Sequence, residues 1–307
     1  MKKNFETVII TIALIVLATL THAETIKIGA GGAEGEYNST IVPALSTVLQ
    51  GYGYTAYAAI SAGSQENIDN VWLGKLPAGL TQLDVAALNM AGERPPSAKG
   101  NLKIIGKFAP EALFCATKQG GKIASYDDLI DPQKPGLKVS VGKEGSGTAR
   151  TFQYLMTLDP RLKAIQLIEE GNPDRQLNRL QSGHRDLVCF VMMPDFKNEL
   201  IKRVVKNNKW VFINIDNPLF TNATVEGELV YELMEVPVNR GFFGWGAKRI
   251  KTLVTWIGVV VNDKLTDHKL LNALTRVAIK GEMLPKHSAA AKAKNLFEKH
   301  KAKVITD

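Results

Sequence analysis

LKVSVGKEGSGT, residues 137–148, places a short alternating apolar run directly before a glycine-rich turn and the start of a helical pattern. The same order of apolar run, glycine turn and helix occurs once before, in IKIGAGGAEGEY at residues 26–37. Strands that alternate with helices are typical of a mostly parallel sheet covered by helices. The recurrence of this order in the second half of the chain therefore predicts two similar α/β lobes.

The remaining patterns extend this α/β interpretation along the chain. Strands are predicted from apolar runs, and helices from apolar residues at helical spacing, with Ser64 as the expected N-cap of the helix in 63-GSQENIDNVWLG-74. The further predicted strands are YTAYAAIS (54–61), LDVAALNM (83–90), DLVCFVMMP (186–194) and VTWIGVVVN (254–262), and the run AIQLIEE (164–170) is not assigned to either type.

The last strand pattern, at residues 254–262, comes after the second lobe is complete. Its return to the first lobe would make the chain cross twice between lobes, which gives a hinge of two crossing strands beside a cleft. We therefore predict an α/β clamshell of two lobes, with mostly parallel sheets and helices on both faces. The predicted divisions are a signal peptide at 1–23, a first lobe at 24–112, a second lobe at 113–253, and a return with C-terminal helices at 254–307.

The N-terminus has the pattern of a secretory signal. Lys2 and Lys3 precede an uncharged apolar stretch at residues 8–20, and Ala23 is the small residue expected before a cleavage site. The stretch is shorter than the roughly 20 residues of a membrane-spanning helix, and no later stretch is long enough and free enough of charge to span a bilayer. We expect an exported protein, in the periplasm, without stable membrane insertion.

The net charge of +8 is concentrated towards the C-terminus, where lysines from Lys280 onward lie among alanines at helical spacing. A solvated terminal helix explains this pattern better than a nucleic-acid surface, because arginine and aromatic residues are not interleaved there. Nucleic acid is therefore not an expected partner.

The two cysteines, Cys115 and Cys189, each lie in an apolar, strand-like run and are expected to be buried. An exporting compartment permits a disulfide between them, but the sequence does not show whether their strands touch. No CxxC or HExxH spacing occurs, so neither a metal nor another cofactor is predicted.

Neither glycine loop satisfies a nucleotide-binding motif. The spacing from Gly142 to Gly147 fits a Walker loop, but Thr148 stands where the phosphate-binding lysine is required. In the first loop Gly29 and Gly31 fit G-x-G-x-x-G, but Glu34 stands at the third position. Nucleotide binding is therefore disfavoured.

A glycine turn that leads into a helix directs backbone N–H groups outward at the positive end of the helix dipole. The hydroxyls of Ser146 and Thr148 would add donors to such an anion site, or would only cap the helix. Because one loop occurs in each lobe, and both follow strand C-terminal ends, the two loops together predict a shared ligand at the sheet crevice.

Catalysis is the competing interpretation. The chain has no G-x-S-x-G elbow, and no local motif pairs a serine with a histidine. Four carboxylates near the loops have the chemistry for acid and base catalysis, but solvated loop charges are commoner. We therefore do not expect an enzyme. The four carboxylates are Glu34, Glu36, Glu66 and Glu144.

Several stretches resemble the TAXI-type solute-binding proteins of TRAP transporters. They are IGAGGAEGEYNSTIVPAL (28–45), ISAGSQENIDNVWLGKLPAGL (60–80), IIGKFAPEALFCATKQ (104–119) and SYDDLIDPQKPGLKVSVGKEGSGTARTFQYLM (125–156). The resemblance implies a type II periplasmic-binding-protein clamshell that closes over a small acidic solute, such as glutamate or a related dicarboxylate. It also implies ion-coupled delivery to TRAP membrane subunits.

The resemblance further implies the residues that bind the solute. Backbone N–H groups of both glycine loops would bind carboxylates. The ring of Tyr37 would line one side of the pocket, and Ser64 and Asn67 would orient polar groups of the ligand. The implied ligand-binding residues are Gly31, Gly32, Tyr37, Ser64 and Asn67 in the first lobe, and Ser146, Gly147 and Thr148 in the second.

The acidity of the first loop bears on the class of solute. Glu34 and Glu36 lie beside the expected carboxylate grip and would repel a doubly negative solute unless they face water or accept an ammonium group. An amino acid with an α-ammonium fits such a loop better than a plain diacid. The same fold also permits a receptor for an ATP-driven importer or a sensor, or an exported enzyme that acts on a small anion.

Overall fold

The computed structural model describes residues 23–92, 95–240, 246–264 and 266–280. Residues 1–22 of the predicted signal peptide and the lysine-rich tail after Lys280 lie outside this part of the chain. The described strands are β1 Glu24–Gly31, β2 Tyr54–Ile60, β3 Ala78–Gln82, β4 Leu102–Lys118, β5 Lys138–Ser140, β6 Gln166–Ile168, β7 Leu187–Met192, β8 Trp210–Phe212, β9 Thr224–Val225, β10 Glu228–Leu229, β11 Glu232–Pro237 and β12 Arg249–Asn262.

The described α-helices fall between these strands in the order expected of an α/β protein. They are α1 Val42–Leu49, α2 Ser64–Trp72, α3 Leu83–Ala91, α4 Gly147–Leu158, α5 Pro173–Gln181, α6 Glu199–Lys206 and α7 His268–Lys280. A π-helical turn, Tyr37–Ile41, runs directly into α1. The loop that joins β1 to α1 is therefore short and carries the first glycine-rich turn.

The main sheet has the strand order β2-β1-β3-β12-β4-β7-β5-β6, with β11 added to β12 and β8 to β4. β1 is parallel to β2 and β3, and β5 is parallel to β6 and β7. β4 and β12 lie between these two parallel groups and run antiparallel to their neighbours. The predicted fold class is confirmed: the described residues form a two-lobed α/β clamshell in which two crossing strands join the lobes.

The two crossing strands change partners near their middle. β4 pairs with β12 over Leu102–Ala112 and then with β7 over Ala112–Thr117. β12 pairs with β11 up to Val254 and with β3 from Ile257 onward. The partners change where the sequence analysis places the lobe boundaries, and the extents of the two lobes stay a prediction.

Apolar helix faces pack the two lobes against the sheet and against each other. On one face of the first lobe, Leu45 of α1 and Leu274 of α7 are buried with Ile28 of β1. On the other face, Val85 of α3 belongs to a buried cluster that continues to Phe152 of α4 in the second lobe. The lobes therefore share an apolar contact, which holds their glycine loops close together.

One predicted strand is wrong. LDVAALNM forms helix α3, and the strand at this position is the preceding segment Ala78–Gln82. All five residues of β3 are buried, and the first five residues of α3 are buried as well. An apolar run that is buried on every side has neither the helical nor the strand period, so its pattern does not distinguish the two structures.

The two cysteines form a disulfide between the strands β4 and β7. Cys115 and Cys189 are directly opposite each other in the antiparallel pair, and both are buried. The bond joins positions 74 residues apart in the sequence. A cross-link over a long loop limits the conformations of the unfolded chain, which stabilises the folded protein.

Replacing both cysteines by alanine is expected to lower the free energy of unfolding by about 2–4 kcal/mol. Urea unfolding of the variant and of the wild type, followed by circular dichroism, measures this difference. Wild-type protein treated with a reductant during unfolding should shift in the same direction. An unchanged urea midpoint in the double variant would contradict the stabilising role of the bond.

Candidate functional site

The glycine loops of the two lobes meet across a narrow gap. Gly63 has φ +138°, and a Cβ built on it would lie 3.6 Å from Ser146 Cα and 3.8 Å from Gly147 N. A Cβ built on Gly31, which has φ +112°, would lie 3.9 Å from Gly63 Cα. Glycine is the residue that readily adopts such φ values and permits this close approach of backbones. The first loop, the turn before α2 and the second loop therefore form one site.

Two helices begin at this gap, one from each lobe. α2 begins at Ser64 and α4 begins at Gly147. Their first amides, those of Ser64, Gln65, Gly147 and Thr148, have no hydrogen-bond acceptor among the described residues. Amides of the first helical turn have no partner within the helix, and the helix dipole adds positive potential there. The arrangement is suited to bind a carboxylate or another small anion.

The two hydroxyls of the second loop are bonded within their own lobe. Ser146 is the N-cap of α4, and its Oγ accepts a hydrogen bond of 3.3 Å from Ala149 N. Thr148 Oγ1 accepts a hydrogen bond of 3.0 Å from Val191 N and so ties α4 to β7. The side chain of Ser146 therefore caps the helix. The groups that this loop offers to a ligand are its backbone amides.

Ser64 is not the N-cap of α2, contrary to the sequence prediction. Gly63 occupies that position, and Ser64 is the first helical residue. The side chain of Ser64 points inward and donates a hydrogen bond of 3.3 Å to Gln82 Oε1. The unusual backbone of Gly63 explains the difference, because it turns the chain into the helix one residue earlier than a serine cap would.

Asn67 lies beneath the glycine loops and is fully buried. Its Nδ2 donates to Leu80 O at 2.8 Å, and its Oδ1 accepts from Ser61 Oγ at 2.7 Å. Its side chain also fills the space beside Gly29, where a Cβ would lie 2.5 Å from Asn67 Oδ1. The side chain thus joins α2 to β1, β3 and the turn that precedes the helix.

Tyr37 faces a buried carboxylate on the crossing strand β4. Its hydroxyl donates a hydrogen bond of 3.0 Å to Glu111 Oε2. Glu111 is 5% exposed, and its burial, followed by the nearby charge of Glu36, raises its pKa well above the usual range. Sequence reasoning missed Glu111, although an acidic residue inside an otherwise apolar strand pattern is an unusual feature that pointed to it.

Asp84, at the start of α3, joins the two lobes. It is fully buried, and its Oδ2 accepts hydrogen bonds from Thr151 Oγ1 at 2.6 Å and from Tyr231 OH at 2.8 Å. Its Oδ1 accepts a bond of 2.8 Å from Val85 N. Burial raises the pKa of Asp84, and the hydrogen bonds from Thr151 and Tyr231 act in the opposite direction.

Glu36 forms a second polar link between the lobes. Its Oε2 accepts a hydrogen bond of 2.9 Å from Met193 N, which follows β7 in the second lobe. Burial raises the pKa of Glu36 to about 6, against an ordinary value of 4.5. Between these two pH values the folded protein binds a proton that the unfolded chain has released, so folding stability falls as the pH rises through this window.

Glu36→Gln is expected to raise the free energy of unfolding by up to about 2 kcal/mol at about pH 7.5, because glutamine keeps an acceptor for Met193 N without a buried charge. At about pH 4 the side chain of Glu36 is protonated in both states, and the variant should match the wild type. Urea unfolding at both pH values tests this. Glu34→Gln, at an exposed neighbouring carboxylate, is the control. Equal stability of Glu36→Gln and the wild type at both pH values would contradict the account.

The other carboxylates considered for catalysis are solvated. Glu34, Glu66 and Glu144 are exposed. Glu66 accepts a hydrogen bond of 2.6 Å from Ala62 N, which stabilises the turn before α2. Within the described ranges, no hydrogen bond joins any two of these three groups or joins one of them to Glu36.

A separate groove of about 590 Å³ lies beside α6 on the surface of the second lobe. Four of its charged groups form ion pairs: Arg203 bonds to Asp174 at 2.5 Å, and Lys202 bonds to Glu199 at 2.6 Å. The glycine loops do not line this groove. The groove is therefore distinct from the gap at the two helix starts.

In the part of the chain that the structure describes, no group of three or more histidine, cysteine, aspartate or glutamate side chains is arranged to hold a metal ion. None of the helices in the described ranges combines the length and the apolar character that a membrane span requires.

Solved structures with a similar fold include three ligand-binding proteins. The GluR0 ligand-binding core from Nostoc punctiforme, in complex with L-glutamate, has a TM-score of 0.49 and 13% identity, over 90% of this chain and 98% of that chain. An ancestral arginine-binding protein bound to arginine has a TM-score of 0.49 and 13% identity, over 91% of this chain and 99% of that chain. An arginine transport-system periplasmic binding protein from Legionella pneumophila has a TM-score of 0.47 and 12% identity, over 90% of this chain and 99% of that chain.

The resemblance to TAXI-type receptors of TRAP transporters is wrong, because the family model that matches the sequence is the NMT1-like family. Three of the four stretches that carried the resemblance encode a strand, a glycine turn and a helix start, and the fourth encodes part of β4. This geometry places unpaired amides beside the cleft and does not specify a membrane partner. The match covers residues 28–302, which is most of the chain, and the protein therefore belongs to the NMT1-like family.

Proposed function

We propose that the protein is a solute-binding protein that captures a small amino acid between its two lobes. The observation that carries the proposal is the convergence of two helix N-termini, α2 from the first lobe and α4 from the second, on one gap. Four amides that have no acceptor among the described residues, at Ser64, Gln65, Gly147 and Thr148, are available there for the carboxylate of the solute.

The mechanism that this geometry supports is closure about the crossing strands. β4 and β12 connect the lobes, and the amides of the two lobes lie near each other in the closed arrangement. A carboxylate held by both helix starts makes its full set of contacts only when the lobes are together. Its binding free energy then shifts the population towards the closed form.

The roles of the individual residues follow from their contacts. The amides of Gly147 and Thr148 at the start of α4, and those of Ser64 and Gln65 at the start of α2, hold the carboxylate. Gly31 gives the first loop its close approach to Gly63, Gly32 borders open space, and Tyr37 lines the pocket beside Glu111. Asn67 holds this arrangement from below through its bonds to Ser61 and Leu80, without a contact of its own to the solute.

The protein is proposed to work in the periplasm and to deliver its solute to an ATP-driven importer. The buried disulfide between Cys115 and Cys189 supports an oxidising compartment. Stimulation of an importer's ATPase activity in proteoliposomes, by the solute-loaded protein and not by the solute alone, is the expected result. Equal ATPase rates with and without the protein would contradict this delivery role.

Titration calorimetry with L-glutamate, L-glutamine, L-arginine, 2-oxoglutarate and succinate tests the binding function. We expect saturable binding of at least one amino acid, with a rise in melting temperature and a smaller radius of gyration in small-angle X-ray scattering. No heat of binding and no thermal shift with any compound of the panel would contradict the proposed function.

A further inference from the structure

We propose that Glu111 and Thr255, on the two crossing strands, form a subsite for a positively charged group of the solute. The proposal rests on the proposed function and narrows the class of solute. The ligand is an amino acid whose α-ammonium is required, and a plain mono- or dicarboxylate of the same length is a poor ligand.

Glu111 has unused capacity as a hydrogen-bond acceptor. Among the described residues it accepts one hydrogen bond, from Tyr37, although a carboxylate has about four acceptor positions. It is 5% exposed, so water reaches it poorly. Asp84, the other fully buried carboxylate nearby, differs because three donors from the protein bond to it.

Thr255 provides an independent observation at the same place. It is directly opposite Glu111 in the antiparallel pair of β12 and β4, so both side chains lie on one face of the sheet. Its side chain is 3% exposed, and Oγ1 has no hydrogen-bond partner within the described residues. A buried hydroxyl without a partner is costly, and a ligand donor such as an ammonium would satisfy it.

The charge around this position favours a cation. Glu36 and Asp84 both lie close enough to raise the pKa of Glu111 by charge repulsion. In the part of the chain that the structure describes, no lysine, arginine or histidine forms an ion pair with any of these three carboxylates. A buried acidic group without a cation is neutralised by a proton, and an ammonium from the solute would stabilise its ionised form instead.

The subsite is adjacent to the amides that bind the carboxylate at the starts of α2 and α4. The hydroxyl of Tyr37 bonds to Glu111 and also interacts with Ser64, the first residue of helix α2. An α-amino acid carries its ammonium and carboxylate on one carbon, so it requires two such subsites side by side. The amides at the helix starts bind the carboxylate, and the side chains of Glu111 and Thr255 bind the ammonium.

The first test compares amino acids with analogues that lack the α-ammonium. L-glutamate is paired with glutarate, and L-arginine with 5-guanidinopentanoate, in calorimetric titrations of the wild-type protein. In the pair whose amino acid binds, we expect the deaminated analogue to bind about 10- to 100-fold more weakly, which is the effect of losing charge-assisted hydrogen bonds. Equal affinities within that pair overturn the ammonium subsite and leave the proposed function intact. Absence of binding by all four compounds and by the rest of the calorimetric panel overturns both.

The second test uses Glu111→Gln, which keeps an acceptor for Tyr37, and Thr255→Val, which keeps the shape of the side chain. Glu111→Gln is expected to weaken the binding of the amino acid about 10- to 100-fold and that of its deaminated analogue less than about 3-fold. Thr255→Val should act in the same sense with a smaller effect. Glu34→Gln, at an exposed carboxylate, is the control and should bind both compounds as the wild type does. Equal weakening of both compounds in the variants would overturn the subsite, and melting curves establish that each variant is folded.

Discussion

Gly147→Val is expected to weaken binding of the amino-acid ligand by at least about 100-fold, because a side chain at this position removes two charge-assisted hydrogen bonds to the carboxylate. Gly147 is the first residue of α4, and a Cβ built on it would lie 1.8 Å from Gln82 Oε1 of the first lobe. The substitution therefore displaces Gln82 and keeps the two helix starts apart. The fold of each lobe should persist, since Gly147 has an ordinary helical φ and valine is tolerated at a helix start.

Calorimetry with the amino acid that the wild-type protein binds measures the loss of affinity, and a thermal melt establishes that the variant is folded. Gly51→Val is the matched control, because a Cβ at Gly51 meets no atom within 4 Å and the position is remote from the gap. The control should bind the ligand as the wild type does. A Gly147→Val protein that binds with unchanged affinity would show that the gap between the two loops is not the ligand site.

Asp84→Ala is expected to lower the free energy of unfolding by about 3 kcal/mol, because it leaves buried donors without an acceptor. Thr151 and Tyr231 donate to Asp84 from the second lobe, and Val85 N donates to it from the same helix. Loss of this group removes a polar contact that holds the lobes together. Urea unfolding monitored by tyrosine and tryptophan fluorescence measures the effect.

Two comparisons separate the stability lost with the hydrogen bonds of Asp84 from the stability lost with the volume of its side chain. Asp84→Asn keeps the shape and an acceptor for Val85 N, and we expect it to cost less than half as much as Asp84→Ala. In a double-mutant cycle, Asp84→Ala combined with Tyr231→Phe should show a coupling of about 1–2 kcal/mol. Additive effects of these two substitutions would contradict a direct contact between Asp84 and Tyr231.

Much of the fold was predictable because its elements repeat. The glycine turns after β1 and β5 have strong sequence patterns, and the late apolar run that forms β12 indicated a second crossing between lobes. The segment LDVAALNM was misassigned, since a helix buried on most sides shows no amphipathic period. The pairing of Cys115 with Cys189 was open in the sequence, because it depends on the register of two strands 74 residues apart.

The candidate site was predictable where the backbone forms it and was missed where buried side chains form it. The loops at Gly31 and Gly147 both approach the turn at Gly63, and their role in binding a solute stays a prediction. Glu111, Asp84 and Thr255 lie inside apolar runs, and a sequence read for periodicity treats such residues as interruptions of a strand or helix. Their proximity depends on the strand register and on the contact between lobes, which a single sequence does not encode in any local motif.

A crystal structure of the protein with the amino acid that binds most tightly in the calorimetric panel would show which groups hold the ligand carboxylate. We expect one carboxylate between the lobes, with its oxygens within about 2.7–3.2 Å of backbone nitrogens of Ser64 or Gln65 on one side and of Gly147 or Thr148 on the other. A ligand held by one lobe alone, or bound in the groove beside α6, would contradict it.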